Sequence, residues 1–75
     1  MERMQAAVRQ RIGKRIKQLR EEGGLTLRAL EMKANVSASY LSAVERGRSA
    51  PTSDLLVRLG YFLSVDPASF LADQD

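Results

Sequence analysis

The chain is 75 residues long, 44% hydrophobic and 28% charged, with a net charge of +3 and neither cysteine nor histidine. A domain of that size buries only about 60% of the surface its unfolded chain exposes, so it depends on well-packed helices, a partner subunit, or both. The missing cysteine and histidine exclude a disulfide staple, the usual structural zinc sites and triad-type hydrolysis, and no enzyme is expected. Residues 1–50 carry eleven Lys/Arg against five acids, a net +6, whereas residues 51–75 carry one against four, a net −3. That asymmetry fits a basic end facing a polyanion, or simply solvated helix faces. No apolar run approaches the roughly 18 residues of a membrane span, and the basic N-terminus lacks the apolar centre of a signal peptide. A cytoplasmic protein is the expectation, with no metal, cofactor, membrane or small-molecule ligand evident.

In chain order, Met4, Val8, Ile12, Ile16 and Leu19 recur at helical spacing. Residues 1–11 form an N-terminal extension in which the first helix begins, and Lys14 and Lys17 project away from the stripe. A basic amphipathic helix can also lie on a membrane or in a partner's groove. This stripe is narrow and free of aromatics, which favours packing against the helices that follow. Gly23 and Gly24 stop the helix with a left-handed turn.

Three helix starts downstream share one device. Thr26, Ser37 and Asp66 are placed to cap the second, third and last helices. Ahead of them, Leu25, Val36 and Val65 are spaced to staple onto Leu30, Leu41 and Phe70, and Pro67 suits a first helical position. Asn35 tolerates the positive φ of a sharp turn between the second and third helices. Gly47 ends the third helix, and Ser49, Ala50 and Pro51 form a loop. Thr52 or Ser53 then caps a fourth helix whose Asp54 suits the helix dipole. Its buried stripe is Leu55, Leu56, Leu59, Phe62 and Leu63, and Gly60 permits close approach of another helix. The domain spans 12–72 and ends in a short disordered tail, 73–75.

At 3.6 residues per turn, Leu41 and Val44 of the third helix face inward, and Ser39, Ser42, Ala43 and Arg46 face outward. Ala38, Tyr40 and Glu45 fall on the flanks. A helix entering a major groove about 12 Å wide needs a slim face with hydrogen-bonding groups near its N-terminus. The small side chains meet the first need, and the serines meet the second in part, since serine pairs with several bases.

At these residues the chain resembles the phage-repressor family (Cro-like, xenobiotic-response-element) of helix-turn-helix proteins. The similarity runs from about Ile12 to Leu71: IGKRIKQLREEGGLT, then L-x-x-x-A-N-V-S from Leu30 to Ser37, then YLSAVERG at 40–47, Pro51, the leucine-rich helix and LSVDPASFL. The resemblance implies an all-α, compact five-helix DNA-binding domain with a central helix-turn-helix. Residues 37–46 would be the recognition helix, with Ala38, Ser39, Tyr40, Ser42 and Ala43 nearest base edges. Thr26, Arg28, Ser37, Arg46 and Arg48 would lie along phosphates. Arg20 and Glu45 would form a structural ion pair. Tyr61, Phe70 and Leu71 would form a subunit interface, although Tyr61 could instead lie flat on its own domain and Tyr40 pack in the core.

Three positions depart from the family pattern. Leu27 stands where a phosphate-holding glutamine is common, and Asn35 replaces the usual glycine. Glu31 occupies a place between the helices where a small residue is expected, so it either bends out to solvent or spaces the helices differently. The leading expectation is a DNA-binding transcriptional regulator, a repressor that reads a palindromic operator as a homodimer. The alternative is an antitoxin-like or adaptor module that grips a protein partner with its fourth and fifth helices.

Overall fold

A computed structural model describes residues 4–71. The expected tail at 73–75 lies outside the described residues. Helix α1 (Ala6–Glu22) leads to α2 (Leu27–Ala34), α3 (Ala38–Glu45) and α4 (Ser53–Leu63), and a 3₁₀ turn, Pro67–Phe70, closes the domain. The expected fifth helix is therefore a single tight turn, bonded from Ser69 N to Asp66 O at 2.8 Å and from Leu71 N to Ala68 O at 3.1 Å. Four residues are too few to build a run of i to i−4 bonds, and the shorter i to i−3 bonds take over.

Each start after α1 has its side-chain cap. Thr26 Oγ1 accepts from Ala29 N at 3.0 Å, Ser37 Oγ from Tyr40 N at 3.3 Å, and Asp66 Oδ1 from Ala68 N at 2.9 Å. Of the two candidates at α4, Thr52 is the cap, accepting from Leu55 N at 3.0 Å. Gly23 and Gly24 stop α1 as expected, directly after Glu22. Gly23 stays near the right-handed region and Gly24 takes φ +72°, which lets Leu25 N bond Arg20 O at 3.0 Å. Asn35 adopts φ 56°, reversing the chain between α2 and α3.

All five elements contribute to one core: Ile12 and Ile16, Leu30 and Ala34, Leu41 and Val44, Leu55, Leu56 and Leu59, and Phe70. Removing such side chains from water drives folding at about 25 cal/mol per Å² of apolar surface. Met4 and Val8 pack against the same cluster, so the opening turns of α1 belong to the domain. Phe62 departs from the expected stripe and is 37% exposed. The buried arc of α4 is centred between Leu59 and Leu56, which leaves Phe62 at its edge, with its ring edge-on to Tyr61 at 4.9 Å.

Two glycines set helix spacing. A Cβ on Gly13 would run into the carbonyl oxygen of Val44 and lie 2.7 Å from that of Glu45, so α1 crosses α3 almost backbone to backbone. Gly60 plays the same part on α4, where a Cβ would lie 2.8 Å from Val65 O and from the Pro67 ring. The element that approaches there is the segment entering the 3₁₀ turn.

Candidate nucleic-acid interface

The outward face of α3 is positioned from its C-terminal end. Arg20 on α1 meets Glu45 with two parallel bonds, Nε to Oε2 at 2.7 Å and Nη2 to Oε1 at 3.0 Å. Both residues are buried, each 8% exposed. The remaining guanidinium nitrogen, Nη1, donates to Leu25 O at 2.7 Å, so one side chain ties α1, α3 and the entry to α2 together. Hydrogen bonding to Glu45 raises the Arg20 pKa, against the opposing effect of burial. A raised arginine pKa gives stability that is complete below the ordinary value and lost only as pH climbs through the folded one. The cation side of this pair therefore imposes no pH dependence in the working range.

Further ties act at the same end. Arg9 Nε donates to Gly47 O at 3.2 Å and Arg9 Nη1 to Met4 O at 2.6 Å, anchoring the start of α1 to the turn after α3. Gly47 takes φ +75°, and Arg48 N returns to Ala43 O at 2.9 Å. The Tyr40 hydroxyl donates to Ala50 O at 2.8 Å and fixes the following loop. On α4, Arg58 donates to Ala34 O at 3.1 Å, satisfying a carbonyl at the end of α2, and to Asp54 at 2.9 Å.

With α3 so held, Ser39 and Arg46 are exposed, and Ala38, Ser42 and Ala43 are half-buried along a low ridge. Ser37, Thr26, Arg28 and Arg48 are exposed around it. Tyr40 is half-buried on the flank, its ring against the core and its hydroxyl engaged, so its first role is to hold the loop. Arg46 and Arg48 line an open depression together with Gln10, Lys14 and Glu45. Lys14, expected only to project away from the apolar stripe of α1, thus joins the basic rim. The available signal was its place beside Gly13, the point of closest approach to α3.

Glu31 resolves the open question in a third way. Its Oε2 accepts from Ala38 N at 3.0 Å and caps the first turn of α3 from outside, while Oε1 lies 4.0 Å from Arg28 Nε. Phe70, expected in a subunit interface, is wholly buried and cannot contribute to one. Its ring is the apolar plug that seats the 3₁₀ turn. The large apolar residues left exposed on this side are Val57, Tyr61, Phe62 and Leu71.

Two helices joined by a left-handed turn, the second with a slim polar face, a basic rim and its inner side in the core, define a helix-turn-helix domain. Accordingly, the chain belongs to the Helix-turn-helix family (HTH_3), which it matches over residues 16–70. It is 40% identical over 65 residues to the HTH-type transcriptional regulator SinR of Bacillus licheniformis, covering 85% of this chain and 59% of that protein. It is 45% identical over 53 residues to the transcriptional regulator ClgR of Mycobacterium tuberculosis, covering 71% of this chain and 47% of the relative. The chain thus spans about half the length of these curated relatives. The crystal structure of the master regulator for biofilm formation SinR in complex with DNA matches with a TM-score of 0.78 at 40% identity, covering 81% of this chain and 98% of that one. The fold is the helix-turn-helix DNA-binding fold of transcriptional regulators.

Proposed function

We propose that this chain binds double-stranded DNA in a sequence-specific manner and regulates transcription, with α3 in the major groove. The observation that carries this reading is the Ser39, Ser42 and Ala43 ridge, held outward by the buried Arg20–Glu45 pair and flanked by exposed Arg46 and Arg48. Arg28, Arg46, Arg48 and Lys14 supply phosphate contacts, which position the domain without reading sequence. The short side chains of the ridge add limited base discrimination, so DNA shape and deformability carry much of the rest.

The domain acts as a homodimer on a palindromic operator, its two α3 helices about 34 Å apart, one turn of DNA. Val57 and Tyr61, one helical turn apart and both mostly exposed, support this pairing, with Phe62 against Tyr61 and Leu71 beyond the 3₁₀ turn. Repression follows from occupancy, since a domain seated on an operator excludes other proteins from the same DNA. The same apolar face also supports the alternative, a module that grips a different protein partner through α4 and the 3₁₀ turn.

Titrating a fluorescent mixed-sequence duplex at several salt concentrations tests the reading. Four phosphate contacts at a slope of about −0.9 each predict about a tenfold loss of affinity per doubling of salt. A complex that ignores salt contradicts it. Light scattering in the same buffers separates the homodimer from the partner-binding module, which would leave the free chain monomeric.

A further inference from the structure

The reading end of α3 is occupied by an acid. Glu31 Oε2 holds the N–H of Ala38, the first residue of α3, while Ser37 Oγ holds that of Tyr40. A full negative charge therefore sits at the positive end of the helix dipole, where a phosphate or another anion would otherwise be drawn. The Glu31 side chain is 38% exposed, and its second oxygen lies 4.0 Å from the Arg28 guanidinium, itself mostly exposed. The carboxylate, carried on α2, is thus half-exposed beside the first turn of α3 and not part of the core.

We propose that Glu31 is a charge gate and specificity-determining residue at this end of α3, an inference that rests on the DNA-binding reading above. An ionised carboxylate only accepts hydrogen bonds. Beside the first turn of a helix in the major groove, it repels phosphate oxygens and the acceptor edges of guanine and thymine. It admits a base that offers an amino group, such as the N4 amine of cytosine. The gate lowers affinity for DNA at large and leaves base identity to recover it, a discrimination built from a repulsive element. Arg28 is placed to exchange its contact with Glu31 for a phosphate when the domain docks.

Glu31→Gln tests the gate, because the amide keeps an oxygen for Ala38 N and removes the charge. Its affinity for a mixed-sequence duplex should rise about threefold, the Coulomb factor for one phosphate about 7 Å away in water. Selection from randomised duplexes should show one position losing its preference for cytosine or adenine. Glu31→Ala, which loses the charge and the bond together, should also bind more tightly while melting at a lower temperature. A purely structural role gives the opposite result, weaker binding with lower melting. A folded Glu31→Gln protein with unchanged or reduced affinity overturns the gate and leaves DNA binding standing. A wild-type protein with no affinity for duplex overturns the functional reading as well.

Discussion

The α1–α3 junction and the outer face of α4 are built on opposite plans. At the junction, backbone meets backbone across Gly13, a buried two-bond ion pair closes the gap, and Arg9 ties the start of α1 to Gly47. On α4, Val57, Tyr61 and Phe62 face outward with apolar surface, and Arg58 bonds within the helix to Asp54 and across to the end of α2. Directional bonds fix an angle, whereas apolar surface fixes only what must be covered. The molecule spends its geometry on aiming α3 and leaves apolar surface exposed on α4.

The contrast breaks most readily at the junction. Glu45→Ala leaves the Arg20 guanidinium buried without its carboxylate, a loss of about 3–5 kcal/mol. A domain of this size has about 4–11 kcal/mol in all, so urea denaturation should show a protein at or near unfolding. Unchanged melting together with unchanged duplex binding would refute the role given to the pair. Replacing both partners, as Arg20→Met with Glu45→Leu, should recover much of the stability. If the pair also sets the helix angle, that double variant binds duplex more weakly than its stability implies.

Gly13→Ala is the next largest. The added methyl meets main-chain carbonyls, which cannot swing aside as a flexible side chain would, and overpacking of this kind costs about 1–3 kcal/mol. Denaturation midpoints should place it near the top of that range, with duplex affinity falling too because α3 tilts. Tyr61→Glu is the smallest in stability, within about 0.5 kcal/mol for an exposed site. Its effect should fall on light-scattering mass, which drops to one subunit. A dimer that survives this change would place the interface elsewhere.

Local chemistry made the boundaries legible. Caps at Thr26, Ser37 and Asp66, and the left-handed Asn35, act within three or four residues and can be read from spacing. The inward pair Leu41 and Val44 follows from helical period in the same way. What could not be read depends on approach between elements. Helical spacing alone does not show that the covered arc of α4 leaves Phe62 at its edge. Nor does it reveal that the Tyr40 hydroxyl finds Ala50 O, or that Glu31 reaches Ala38 N across the turn. Phe70 reads from spacing both as the residue Val65 staples onto and as part of an interface, and only the packing between elements shows that it is wholly buried.

The central claim is that the ridge of α3 meets DNA. Backbone amide shifts, followed by NMR as a duplex is titrated into labelled protein, test it residue by residue. The account predicts the largest changes at residues 26–28 and 37–48, with Lys14 included and the outer face of α4 unchanged at constant subunit count. Changes gathered on Val57, Tyr61 and Leu71, with Ser39, Ser42 and Ala43 still, would contradict it.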